Sequence, residues 1–426
     1  MLKRLKTLTS SSGAISLFFI SGGNIISTII SALALIIFSR FLGPAEFGVF
    51  SAGFALMQII IRVVDMGVNT AAERTIAQKY ETSERPTAIS YMQLVLWIRS
   101  FAITIVLIIG LLFSQSIATW LGITNLLIIR LAFLTSFGTV FYEYVALLLQ
   151  STQAFMYVAR MAIAQASAKL IFGLILIWQH ALTATSALAI YGLMPFFGAL
   201  SSLRRIPLTS FDLPPNWQKL GKTLGLTARW TAINMIGVTL ADNIDILLVQ
   251  KLLGSYQTGI WGAAGRLALF ASLIGLSMTT VLSIRVARYN NKKDLDVYLA
   301  KAKWLALGGA TLVLLGIPLA GLGLWLTVGP EYLVGTTPLI LMLVAVALAT
   351  SAAPYTALFY LFNRPEYYAY VGIILAVGIT VGNWFAIPIY GLIGAGTVKI
   401  VVRAAILVFT LFYARSSYLG QVKYSK

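Results

Sequence analysis

Long apolar runs separated by short polar links make up the chain. They fall at 14–38, 46–72, 88–113, 122–149, 155–178, 183–203, 225–250, 258–283, 303–327, 335–361, 367–388 and 391–414. Each is long enough to supply the roughly 20 residues that carry a helix across a bilayer. The pattern predicts an all-α polytopic membrane protein of twelve transmembrane helices with no extramembrane domain. The longest central polar link, Arg204 to Lys222 (RRIPLTSFDLPPNWQKLGK), splits the twelve into an N-terminal six-helix bundle, 1–203, a cytoplasmic linker, 204–222, and a C-terminal six-helix bundle, 223–426.

The two halves share an order of features. At an offset of 211 residues, Leu42, Gly43, Gly48, Ala52, Leu56 and Arg74 stand opposite Leu253, Gly254, Gly259, Ala263, Leu267 and Arg285; Arg40 falls opposite Lys251 and Phe50 opposite Trp261. This reads as an internal duplication. Because six is even, both copies enter the membrane with the same polarity, which makes them parallel repeats, as in transporters whose substrate path lies between two bundles. Helix-breaking residues also match in place: Gly22, Gly23 and Asn24 in the first run, Thr231, Asn234 and Gly237 in the seventh. Such positions mark either a bending gate beside a cavity or close helix packing through small residues.

Composition narrows the class. Apolar residues are 59% of the 426 and mean hydropathy is +0.89, too much hydrophobic surface for a soluble core. The start, LKRLK followed by apolar sequence, resembles a signal peptide with Ala32-Leu33-Ala34 as a cleavage site, but the apolar run continues past that triplet and is expected to remain as the first helix. No cysteine is present, so disulfides and thiolate metal sites are excluded. The sole histidine, His180, sits in a polar link and is expected in solvent, which leaves proton chemistry to carboxylates. A net charge of +18 in a soluble protein suggests nucleic acid. Here the bases gather in alternate links instead: with the N-terminus inside, 21 of the 31 fall in inner segments and only Arg40 and Lys251 in outer ones. That skew places both termini in the cytoplasm and leaves membrane lipid, with no nucleic acid, as the neighbour of the basic surface.

The remaining charges lie inside the runs. They are Arg62, Arg99, Arg130, Lys169, Arg229, Arg266, Lys399 and Arg403, with Asp65, Glu143, Asp242 and Asp245. Each costs at least roughly 2.5–3.5 kcal/mol at a helix centre, so they are expected to face protein or water. At about 1.5 Å per residue, Arg99, Arg130, Lys169, Arg266, Lys399 and Arg403 lie roughly 10–20 Å deep. Lys399 and Arg403 share a helix face, as do Asp242 and Asp245, and an Asp242–Arg266 pair is expected at matching depth. Arg62, Asp65, Glu143 and Arg229 lie nearer the cytoplasmic end, as gate pairs or snorkelling groups. The surplus of bases over acids predicts an anionic partner, with phosphate as the natural candidate.

The runs Arg40-Phe41-Leu42-Gly43-Pro44, Glu46-Phe47-Gly48, Asp65-Met66-Gly67-Val68 and Arg74-Thr75-Ile76-Ala77 resemble the first repeat of the polysaccharide transporter (Wzx-type) flippases of the multidrug/oligosaccharidyl-lipid/polysaccharide (MOP) exporter superfamily. Asp242-Asn243-Ile244-Asp245 to Leu253-Gly254, then Gly259-Ile260-Trp261, is similar to their seventh and eighth helices. The resemblance implies two six-helix bundles around a cavity that opens alternately to each side, in the cell membrane. The substrate it implies is a polyprenyl-pyrophosphate-linked oligosaccharide moved to the external leaflet for envelope polysaccharides such as O-antigen, with a polysaccharide polymerase and assembly proteins as further partners. Arg99, Arg130, Lys169, Arg266, Lys399 and Arg403 are the candidate pyrophosphate ligands. Asp65, Arg62, Glu143, Asp242 and Asp245 are the candidates for gating or H+ or Na+ coupling. No covalent chemistry, metal or cofactor is called for. The alternatives are a cation-coupled multidrug exporter of the same fold, against which the acid-poor interior argues, and a membrane glycosyltransferase or polymerase, against which the short external loops argue.

Overall fold

A computed structural model describes residues 12–206, 211–286, 292–361 and 366–424. Among them the regular elements are helical throughout, without a strand. The helices are α1 (Ser12–Asp65), α2 (Val68–Tyr80), α3 (Arg85–Leu112), α4 (Ser114–Leu121), α5 (Leu126–Ser151), α6 (Phe155–Trp178), α7 (Ala184–Leu200), α8 (Trp217–Leu253), α9 (Ser255–Val286), α10 (Lys292–Leu314), α11 (Ala320–Thr327), α12 (Thr336–Thr356), α13 (Leu358–Leu361) and α14 (Glu366–Tyr424).

Nine helices among the described residues are long and apolar enough to cross a membrane. Two of them are pairs joined end to end, because a glycine interrupts each: Gly43 in α1 (φ 69°, ψ 169°) and Gly391 in α14 (φ 58°, ψ −139°). Left-handed backbone is open to glycine at little cost, and Pro44, which lacks an N–H, follows as the natural first residue of a new helix. Counted in halves, and with the shorter apolar helix Ala184–Leu200, the described apolar segments number twelve. The chain is a multi-pass membrane protein.

Local chemistry moves several expected boundaries. Asn125 caps α5 by accepting the Leu127 N–H at 3.1 Å, so that helix begins at Leu126 rather than 122. The run 46–72 ends as a helix at Asp65, where Met66 (φ 43°) and Gly67 (φ 69°) turn the chain into the polar helix α2. Position 277, its counterpart in the second repeat, stays inside the continuous helix α9. The run 303–327 divides into α10 and α11 across Gly316 and Pro318. His180 sits exposed in its turn, as expected.

The chain forms two compact units, Met1–Leu42 with Gly53–Ala232, and Gly43–Ala52 with Ile233–Lys426. The division therefore falls inside α8 rather than in the link 204–222, and ten residues of α1 belong to the second unit. In the first unit α5 packs on α7, α3, α6 and α2; in the second, α12 packs on α14, α9 and α10. Tyr91, Met92, Tyr144, Leu147, Leu148 and Ala228 are among the buried residues of one core, and Tyr298, Phe359 and Tyr367 of another. The α5–α7 crossing is so close that a Cβ on Gly138 overlaps the Gly192 carbonyl, and one on Gly192 overlaps Thr135.

The helix-breaking residues do not break their helices: the interruption of α1 falls at Gly43, and α8 runs on through Thr231, Asn234 and Gly237. A Cβ on Gly23 overlaps Ala159 of α6, and one on Gly237 overlaps Gly372 of α14, which itself lies against Asn234. What these positions provide in this structure is close helix approach. The surroundings of Gly22 and the side chain of Asn24 are not described, and the bases at positions 3, 4, 6, 288, 364 and 426 lie outside the described residues.

Two stability effects follow. Gly192→Val, by forcing α5 and α7 apart, is expected to lower the thermal midpoint in detergent by several degrees, read by fluorescence-detected size exclusion, whereas Gly225→Val on an open, exposed position of α8 retains a well-behaved peak. Glu73 lies on α2, where burial raises its carboxyl above the ordinary range. Its folded-state pKa exceeds the unfolded one, so stability is lost as pH rises through that window; Glu73→Gln is expected to raise the midpoint near neutral pH, with the gain shrinking in acid.

Candidate functional site

Charged side chains inside the apolar helices gather into two clusters, one in each unit. The first is built on the end of α1. Asp65, fully buried, accepts the Asn69 N–H at 3.4 Å and so caps the entry to α2. The same carboxylate oxygen accepts Arg99 Nη2 at 3.1 Å, from the middle of α3. Arg99, 2% exposed, also donates Nη2 to Glu143 Oε2 at 2.8 Å and Nη1 to the Val140 carbonyl at 3.1 Å, both on α5. Arg62, one turn before Asp65, donates to Glu143 Oε1 at 3.3 Å and lies 3.9 Å from Asp65 Oδ2. Two bases and two acids thus share one knot of zero formal charge. Asp65 Oδ2 and Arg99 Nε remain buried without a hydrogen bond among the described residues.

The second cluster joins α8, α9 and the second half of α14. Asp245, 1% exposed, accepts Lys399 Nζ at 2.8 Å and the Trp261 indole N–H at 2.9 Å on Oδ2, and its own Ile246 N–H at 2.8 Å on Oδ1. Lys399 also stands 5.7 Å from the centre of the Trp261 ring. Asp245 is eight residues from Leu253 and Lys399 eight from Gly391, so both lie about 12 Å in from those helix ends. One turn deeper Asp242, with a half-exposed side chain, stands 3.6 Å from Arg403 Nη2. The expected i,i+4 and i,i+3 faces thus meet each other, with Arg403 as the base placed beside Asp242. Asn383, on the same α14 face as Leu375 and Ile379, is fully buried at this level, and neither of its amide atoms finds a partner among the described residues.

The other intramembrane bases are placed separately. Lys169 of α6, 8% exposed, hydrogen-bonds Gln165 Oε1 at 3.1 Å and lies 5.0 Å over the Tyr191 ring. Arg130 is exposed about 6 Å from the start of α5, shallower than the run 122–149 implies. Arg266 lies half-buried on α9. Arg229, exposed, stacks on Trp230 at 5.0 Å.

Pairing changes the electrostatic picture drawn from the sequence. Four of the eight bases, Arg62, Arg99, Lys399 and Arg403, are held by four acids, so much of the cationic surplus expected of the interior is neutralised in place. Desolvating an ion costs several kcal/mol, and a close partner with filled hydrogen bonds roughly offsets it. Trp261, Val140, Gln165 and Tyr191 were not legible as partners. The Phe50/Trp261 difference between the repeats was the available signal, since only indole carries an N–H.

The helical architecture is that of the MOP-superfamily transporters. A multidrug resistance transporter of the MATE family superposes with a TM-score of 0.79 at 14% identity, covering 94% of this chain and 96% of the other. The lipid II flippase MurJ gives 0.75 at 13% identity, covering 95% and 89%. A MOP transporter from Pyrococcus furiosus gives 0.63 at 14%, covering 95% of each. At these identities the likeness is one of fold. The family described as polysaccharide biosynthesis protein matches residues 15–283, and the chain belongs to it. The membrane protein EpsK of Bacillus subtilis (strain 168) is 27% identical over 249 residues, 56% of this chain and 48%, about half, of that protein's length.

Removing Arg99 leaves the Asp65 carboxylate buried with its nearest partner gone. Arg99→Ala is expected to destabilise the protein by about 3–5 kcal/mol, and Asp65→Asn in the same chain to restore much of the loss; thermal unfolding in detergent reads both.

Proposed function

We infer that the protein is a flippase that carries a polyprenyl-pyrophosphate-linked oligosaccharide from the cytoplasmic to the external leaflet of the cell membrane. It works by alternating access and performs no covalent step. Membership of the polysaccharide biosynthesis family supports this reading on a fold shared with a lipid II flippase. The observation that carries it is the Lys399–Arg403 face, two bases one turn apart, part-exposed and held by Asp245 and Asp242. An arriving pyrophosphate offers these bases the same charge-assisted bonds that the carboxylates do. Arg266, Lys169, Arg130 and the Arg62–Arg99 knot are further candidates for phosphate contact, and Asp65, Glu143, Asp242 and Asp245 for H+ or Na+ coupling. The lipid tail stays in the bilayer. Both termini lie in the cytoplasm, and membrane lipids and polysaccharide assembly proteins are the partners.

Reconstitution into proteoliposomes with a fluorescent polyprenyl-pyrophosphate oligosaccharide tests the reading. Lys399→Ala and Arg403→Ala are each expected to slow its appearance in the opposite leaflet roughly ten- to a hundredfold, the worth of one charge-assisted hydrogen bond. Unchanged rates in both variants, or efflux of organic cations in place of lipid movement, sink it in favour of a drug exporter.

A further inference from the structure

The link between the two halves is fastened to the first unit. Ile206 packs against two of that unit's cores, one holding Tyr91 and Leu148, the other Val145 and Met161, so the chain leaving α7 crosses the end of α5. Further on, the Phe211 carbonyl accepts the Trp97 indole N–H at 2.9 Å. Trp97 is two residues before Arg99, which is bonded to Asp65 at the very end of α1. The half-exposed indole on α3 therefore lies at the depth where a membrane-spanning helix stops, the level at which amphipathic rings gather in a bilayer. Phe211, 73% exposed, is pinned beside it. An apolar ring held at that depth lies at the boundary of the acyl chains.

A second arrangement stands just before this one in the chain. Arg205, in the short turn after α7, lies 5.0 Å from the centre of the Tyr157 ring, and Arg160, one turn along α6 from that tyrosine, lies 5.6 Å from it. Both arginines are exposed, as is Arg204, and none of the three side chains makes an ion pair or hydrogen bond among the described residues. Stacking uses the flat face of a guanidinium and leaves its edge, where the N–H donors are, unoccupied. Glu81, the acid tied to the turn before α6, is taken by Gln153 Nε2 at 2.9 Å. Along 203–222, four bases accompany the single acid Asp212.

We propose that this corner binds an anionic phospholipid of the cytoplasmic leaflet, its phosphate held by the free edges of Arg160 and Arg205, while Phe211 and Trp97 keep the link seated at the acyl boundary. The proposal rests on the inside location of the link inferred above and is independent of what the protein transports. Free phosphate offers the same oxygens to the two arginines. A lipid is favoured because the link is pinned at the bilayer surface, where anionic headgroups concentrate around juxtamembrane bases. Since the bound lipid bridges α6 to the turn after α7, it stabilises the folded unit.

Delipidated protein in detergent, titrated with dioleoyl phosphatidylglycerol, dioleoyl phosphatidylcholine or inorganic phosphate, tests this, with bound lipid read by native mass spectrometry and stability by the thermal midpoint. Phosphatidylglycerol is expected to bind about tenfold more tightly than phosphatidylcholine and to raise the midpoint, as two bases near an anionic headgroup imply. Arg160→Gln with Arg205→Gln is expected to abolish that preference, whereas Arg74→Gln with Lys301→Gln, which removes two exposed bases elsewhere, keeps it. The chain has no cysteine, so a nitroxide on Phe211→Cys reads depth directly. In proteoliposomes it is expected to be relaxed by dissolved oxygen and shielded from a water-soluble nickel chelate. Equal binding of the two lipids, a preference that survives loss of both arginines, a midpoint raised by inorganic phosphate with no lipid retained, or a nickel-accessible nitroxide each overturns the proposal. None of these readings requires transport, so they stand apart from the test of the flippase.

Discussion

Charge in a low-dielectric interior has to be answered locally, and that constraint organises this protein. Asp65 and Asp245 are both almost wholly buried, on helices apolar enough to span a membrane. Neither is left bare. Asp65 is held by Arg99, with Arg62 and the capped turn of α2 close by; Asp245 is held by Lys399 and an indole N–H. Each arrangement joins three helices, so the same contacts that neutralise the charge also fix how those helices pack. A pair of this kind adds little net stability beside an apolar replacement, while loss of one member is costly.

The two repeats solve the problem differently, although their backbones correspond. The first knots its charges where α1 ends, around a turn that the second lacks; the second places them two to three turns in from the end of α8 and from Gly391 of α14, where the first has Ser31, Ala34 and Leu188 at the corresponding positions. Duplication supplied the scaffold. The charged residues differ between the two copies.

Much of this architecture was legible in the chain because lipid imposes length on every apolar run, and because Gly43 and Gly254 announce matching turns. The buried charges were legible as a set for the same reason, since a base or acid in such a run stands out. Their pairing was only half legible. Lys399 and Arg403 could be put on one face by spacing, and so could Asp242 and Asp245, but helices apolar nearly all round do not reveal their rotation. That Arg403 would stand beside Asp242 therefore needed coordinates. Depth was misjudged for Arg130 because an asparagine cap, a polar detail inside an apolar window, starts its helix four residues late.

The turn at Gly391 joins the halves of α14 through a single residue, and the close approaches Gly378 to Val402, Gly382 to Val398 and Gly394 to Ala386 keep one antiparallel register over its whole length. Such a link has no slack. An inserted residue would turn the second half by about 100° against the first, swinging Lys399 and Arg403 off the side that meets α8. The phase of the two bases is thus written in the length of a turn, far from either of them, and evolution can tune the polar links elsewhere by insertion but can alter this one only by substitution.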